Sequence, residues 1–244
     1  MLRLDPAAGR QRLHLLCLGA HSDDLEIGCG GALLRWLAEV PELHLTWVVL
    51  SAPGERAREA RRSARALMKG AAGLEIVIGD FADAQFPAEL PRLKAFLADL
   101  GRRVSPDLVL THRLEDRHQD HRTVAELTWQ TWRDHLILEY EIPKYEGDLG
   151  QPNVYVPLTA EQARRKVARA LVLGLALGLD LLLVGAALVD VIDDVHLLDL
   201  VEGIRFVGTA DFQVPFEPAC HCRVREVRGA HIGRRVPGLP SEDI

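Results

Sequence analysis

The chain has 244 residues, of which 48% are hydrophobic and 26% charged, and a formal net charge of −6. It can therefore bury a sizeable core and is too apolar for a disordered chain. Its most basic run, Arg56 to Arg65, follows Glu55 and contains Glu59 in a helical pattern, so it reads as a solvated helix face and not as a nucleic-acid surface.

Leu13 to Gly19 reads as a buried strand ending at a glycine, and Gly30 to Val40 has helical spacing and stops before Pro41. Leu43 to Leu50 is the next strand, followed by the loop Ser51-Ala52-Pro53-Gly54 and an amphipathic helix over Glu55 to Met68. Leu74 to Ile78 is predicted as a strand, Glu89 to Val104 as a helix and Asp107 to Thr111 as a strand. Asp120 to Trp132 is predicted as a helix and His135 to Tyr140 as a strand. Gln151-Pro152-Asn153 and Pro157 mark a loop. Strands alternating with helices of this length imply right-handed crossovers. The expected fold is α/β: a Rossmann-like, mostly parallel sheet with helices on both faces, in a single domain over 1–244.

The C-terminal third is atypical. Ala170 to Val189 is apolar except for Asp180, long enough to span a bilayer, and interrupted by Gly174, Gly178 and Gly185. A buried helix and strand broken at a glycine is the favoured reading, since Asp180 would cost about 2.5–3.5 kcal/mol at a membrane centre. Met1 to Arg12 lacks the apolar core of a signal peptide. The four cysteines, Cys17, Cys29, Cys220 and Cys222, are too scattered for a disulfide framework, so a reducing, cytoplasmic setting is expected. Cys220-His221-Cys222 is a weak metal motif, because alternation along a strand would part the thiols from the imidazole.

Two polar clusters fall after strand ends, where open α/β sheets bind ligands. The first is His21-Ser22-Asp23-Asp24 and the second Asp116-Arg117-His118-Gln119-Asp120-His121. On a strand-to-helix turn, positions i and i+3 can face one point, so His21 and Asp24 can hold one cation and a distant His121 can complete the set. Two imidazoles and a carboxylate are the ligand set of a catalytic zinc with room for water. Asp23, beside a ligand but free of that duty, can act as general base. Asp120 can hold an imidazole in the right tautomer, and His118 can stabilise an oxyanion. The alternative for the aspartate pair is helix N-capping. Gly28-Cys29-Gly30-Gly31 lacks the order of a dinucleotide-binding turn and reads as close backbone packing near the site.

The segment Ala20-His21-Ser22-Asp23-Asp24-Leu25-Glu26-Ile27-Gly28-Cys29-Gly30-Gly31 resembles the A-H-P-D-D-x-E-x-G-x-G-G signature of the LmbE-like (PIG-L) N-acetylglucosaminyl deacetylases. Asp116-x-His118-x-Asp120-His121 is similar to their second motif, and the likeness runs from about Leu13 to Arg165. The resemblance implies a Rossmann-like fold and removal of acetyl from an N-acetylated amino-sugar conjugate. It also implies His21, Asp24 and His121 as zinc ligands, Asp23 as base, and His118 as oxyanion stabiliser or acid with Asp120 orienting it. Glu26, Arg56 and Arg58 are the candidate substrate-binding residues, and a homo-oligomer is a further expectation by analogy. Ser22 stands where the family usually has Pro. Val167 to Phe216 is far more apolar than the charged helix and strand expected there, which leaves a lineage-specific element, a membrane contact or a translated frame shift. Fe2+ is an alternative metal, since His-x-x-Asp with a distant His also describes the facial triad of non-haem iron oxygenases. A catalytically inactive sugar-binding protein is the non-enzymatic alternative.

Overall fold

A computed structural model of the chain describes residues 6–144, 146–177 and 221–226, the stretches 170–177 and 221–226 by their backbone. The elements in chain order are β1 (Arg12–Gly19), α1 (Asp24–Gly28), α2 (Gly30–Glu39), β2 (Glu42–Val49), α3 (Glu55–Leu67), β3 (Gly73–Ile78), α4 (Leu90–Arg103), β4 (Leu108–His112), α5 (Gln119–Thr131), β5 (Leu136–Tyr140), β6 (Val154–Pro157), α6 (Ala160–Leu177) and β7 (His221–Glu226). The seven strands lie in the order β3-β2-β1-β4-β5-β7-β6. The first five are mutually parallel, and β7 runs antiparallel to both β5 and β6.

Alternation along the strands sorts the core into two layers. From β1, Leu13, Leu15 and Cys17 face one way, into a cluster with Leu33 and Trp36 of α2 and Ala64 and Leu67 of α3. Leu16 and Leu18 face the other way, against Leu93, Leu97 and Leu100 of α4 and Val124 and Leu127 of α5. Helices therefore cover both faces, as parallel strands buried on both sides require. The loop expected around Pro157 instead holds β6, which pairs with β7 from Val154↔Val224 to Pro157↔His221. Most of the atypical segment Val167 to Phe216 lies outside the described residues, as does Cys220. Among the described residues no helix is long and apolar enough to cross a membrane.

The order 3-2-1-4-5 has a consequence for the site. The chain moves outward from β1 through β2 to β3, then returns to place β4 on the other side of β1. The carboxyl ends of β1 and β4 thus flank the switch point, where such sheets open a crevice. The first polar cluster leaves β1 there and the second leaves β4. The ends are tied together by Ala20 N–H, which donates to His112 Nε2 at 3.0 Å.

Candidate metal centre

The turn after β1 is built by Asp24, whose Oδ2 accepts the His21 N–H at 2.7 Å. Asp23 occupies the N-cap position of α1 but makes no side-chain capping bond. Helix capping therefore does not account for the aspartate pair: one carboxylate folds back on the turn and the other is left for a different use. The turn after β4 is built in the same way. Asp116 Oδ1 accepts the His118 N–H at 2.7 Å, and His118 caps α5 by accepting the Asp120 N–H on Nδ1 at 3.3 Å.

These two turns bring His21, Asp24 and His121 together. His21 Nδ1 lies 3.3 Å from His121 Nε2 and 3.6 Å from Asp24 Oδ2, and His121 Nε2 lies 3.5 Å from Asp24 Oδ1. Four-coordinate zinc with bonds of about 2.0–2.1 Å separates its ligand atoms by roughly 3.3–3.4 Å; the two ring nitrogens match that spacing, and the distances to Asp24, which run to different oxygens of its carboxylate, lie slightly beyond it. The opposite nitrogen of each ring is engaged by a carboxylate: His21 Nε2 with Asp120 Oδ2 at 3.2 Å, and His121 Nδ1 with Asp116 Oδ2 at 3.0 Å. With a metal bound, each ring would donate outward and turn a lone pair inward, the arrangement that fixes tautomer and orientation in histidine metal sites.

The charge balance also suits a cation. Burial works against a charged His21, yet Asp120, Asp24 and Asp83 raise its pKa to about 10. Carboxylates here outnumber the cationic groups that would neutralise them, and a divalent ion would meet that demand. Burial and the adjacent Asp24 push Asp23 up to about 6. Burial lowers the pKa of His118, as do His121 and His21, so its ring is neutral at pH 7. Because Nδ1 accepts a backbone N–H, the proton sits on Nε2, where the ring can donate.

Three supporting residues carry no signal in sequence spacing. His112, the last residue of β4, is fully buried, stacks on His121 with centroids 3.9 Å apart, and places Nε2 3.1 Å from Asp24 Oδ2. Burial and His121 lower its pKa to about 4. Asp83, from the loop after β3, stands 3.1 Å from His21 Nε2 with half of its side chain exposed. Lys144, after β5, lies 2.9 Å from Asp116.

Comparison with known proteins gives the arrangement a lineage. A profile of GlcNAc-PI de-N-acetylases (PIG-L) matches residues 16–132. Over 151 residues the chain is 30% identical to YaiS, an uncharacterized deacetylase of Escherichia coli K12, covering 56% of this chain and 78% of that protein. The chain belongs to the PIG-L family. Solved structures of other proteins share its fold, among them the following two. The N,N'-diacetylchitobiose deacetylase of Pyrococcus horikoshii is 19% identical with a TM-score of 0.53, covering 70% of this chain and 72% of its own. GalB, the 4-carboxy-2-hydroxymuconate hydratase of Pseudomonas putida KT2440, is also 19% identical, with a TM-score of 0.57, covering 94% of this chain and 100% of its own.

Within the PIG-L motifs, some residues stand elsewhere than sequence reading expects. The Asp120 carboxylate does not orient His118. It faces His21 and accepts the backbone N–H groups of Ala84 at 2.7 Å and Phe86 at 3.1 Å, while only its main chain meets the His118 ring. Glu26 is 1% exposed, and neither of its oxygens has a hydrogen-bond partner among the described residues. Burial pushes this carboxyl up to about 8, although the neighbouring Ser63 hydroxyl favours the anion. So enclosed, it is not placed to touch a substrate. Arg56 and Arg58 are exposed on the first turn of α3, Arg58 paired with Glu55, and no described contact ties either to the imidazoles. Gly28 fits the expected close packing: a Cβ there would fall 2.2 Å from the Tyr140 ring.

Proposed function

We propose that this PIG-L protein is a zinc-dependent hydrolase that removes acetyl from an N-acetylated amino-sugar conjugate of the N-acetylglucosamine type. The observation that carries the reading is the inward-facing trio of His21 Nδ1, His121 Nε2 and Asp24, at separations of 3.3–3.6 Å, with each ring locked from outside by its own carboxylate. His21, Asp24 and His121 would hold a divalent ion, which when bound would supply an acidified water and polarisation of the amide carbonyl.

The chain's own groups supply the rest. Asp23, raised to about 6, is matched to take a proton near neutral pH and return it to the leaving amine. His118, neutral with its proton on Nε2, donates to the oxygen on which charge develops. Asp120 and Asp116 hold the two ligand rings and do not touch substrate. Asp83, half exposed beside His21, is the carboxylate that a sugar hydroxyl or the product ammonium would meet first. Arg56 and Arg58, on the helix that follows the carboxyl end of β2, are candidate contacts for a conjugate's remote groups.

A second use of an activated water is addition to an unsaturated acid, the kind of reaction named for GalB. Asp23 and the half-exposed Asp83, neither assigned to the metal nor paired with Lys144, disfavour an anionic substrate and favour a neutral amide whose amine leaves as a cation.

The test is acetate release from a panel of N-acetylglucosamine conjugates, with zinc-loaded and chelator-stripped protein. Acetate is expected from at least one conjugate, lost on stripping and restored by zinc. Asp24→Ala should lose the metal. Asp23→Asn should keep it and lose turnover by about 10²–10⁴-fold. Sugar binding without acetate release would point to the inactive binding protein, and iron uptake with oxygen consumption would point to the oxygenase.

A further inference from the structure

Asp116 is a shared acceptor. Its Oδ2 lies 3.0 Å from His121 Nδ1 and 2.9 Å from Lys144 Nζ, while Oδ1 takes the His118 N–H. Lys144 belongs to the segment after β5, beyond the stretch matched by the PIG-L profile, and its side chain is only 13% exposed. Its ammonium also lies 2.8 Å from Asp148, whose Oδ2 accepts the Arg117 N–H at 2.7 Å and whose carbonyl accepts from Arg113. The lysine is thus pinned between two carboxylates, one of which serves a candidate metal ligand. The equivalent carboxylate on the other ring, Asp120, is held by two neutral backbone N–H groups. The two imidazoles are therefore not electronically alike.

We propose that Lys144 is a positioning residue that acts through Asp116 to weaken His121 as a metal donor. The inference rests on the metal site proposed above. A carboxylate accepting an imidazole N–H draws on that proton and makes the far nitrogen a better donor. An ammonium on the same oxygen draws density away from it and cancels its charge, so His121 gives up less than an Asp–His pair alone would supply. Lys144 in this way exchanges metal affinity for a more electron-poor ion, which favours the polarisation that hydrolysis needs. Holding Asp116 in place is its second effect, and the two effects move metal affinity in opposite directions when the lysine is removed.

That opposition supplies the test. The zinc dissociation constant is measured by competition with a chromophoric chelator for stripped wild type, Lys144→Met, Lys144→Gln and Lys144→Arg, alongside acetate release and the thermal midpoint. Both neutral variants are expected to bind zinc about tenfold more tightly while kcat falls by about tenfold and KM holds. Lys144→Arg should restore both values towards wild type. Zinc binding that weakens or stays unchanged in the neutral variants would overturn the proposal. Lys144→Gln, which keeps length and a donor group, decides the matter if Lys144→Met is poorly folded. Should the wild type bind zinc yet release no acetate, the functional reading fails and the affinity series still decides the role of Lys144.

Discussion

At the scale of single residues, the site depends on where protons sit. His21 and His121 each spend one nitrogen on a carboxylate, so Asp120→Asn and Asp116→Asn should each lower zinc affinity by about 10–100-fold without unfolding the chain, as read by chelator competition. The backbone carries strain at the same place. Ala84 has a φ of 60°, the left-handed region that costs a side chain about 1–2 kcal/mol, and its N–H donates to Asp120. Ala84→Gly should raise stability by about 0.5–1 kcal/mol in denaturant unfolding with the site intact. Away from the candidate site, burial and His44 lower the pKa of His14, whose Nε2 meets Thr46 Oγ1 at 3.0 Å. With the folded value below the unfolded one, stability is full above the ordinary histidine pKa and declines as pH falls through and below it. His14→Gln should flatten the slope of Tm against pH between about pH 7 and pH 5.

At the scale of elements, periodicity made most of the sheet legible. Runs such as Leu13 to Gly19 and the Leu93, Leu97, Leu100 stripe announce their buried faces, and the structure places them in the two layers described. The strand β6 was not legible, because four residues between prolines and polar loops carry too short an alternation, and its pairing depends on β7 some seventy residues later. The convergence of His21, Asp24 and His121 was legible because both motifs pack several metal-competent residues into a few positions. Asp83 and Lys144 were not, being lone charges in loops that only the path of the chain brings to the site. Asp120 was assigned to the wrong imidazole for a related reason: its main chain meets the near ring, while its side chain reaches across the crevice to β1's turn. One glycine links helix and sheet. Gly28→Ala would drive a methyl into the Tyr140 ring, whose hydroxyl donates to Leu18 O at 2.7 Å, and should cost about 1–3 kcal/mol in Tm or denaturant assays.

At the scale of the molecule, a switch point between β1 and β4 gathers two motifs about a hundred residues apart, and the parallel sheet fixes their distance through strand pairing. The two motifs concentrate negative charge at the carboxyl ends of β1 and β4, and the further strands β7 and β6 extend the sheet away from the crevice. Among the described residues, three groups of side chains there could hold an ion: His21, Asp24 and His121; His21, His118 and Asp120; and His112, Asp116 and His121. The account requires the first. The outward nitrogens of His21 and His121 face Asp120 and Asp116, so the inward pair, 3.3 Å apart, are the nitrogens a metal would take from both rings. The direct measurement is a crystal structure of the zinc-loaded protein with the ion placed by its anomalous scattering. The expected result is one zinc bonded to His21 Nδ1, Asp24 and His121 Nε2 at about 2.0–2.2 Å. Zinc bound instead by His112 and Asp116, or by His118 and Asp120, would contradict it.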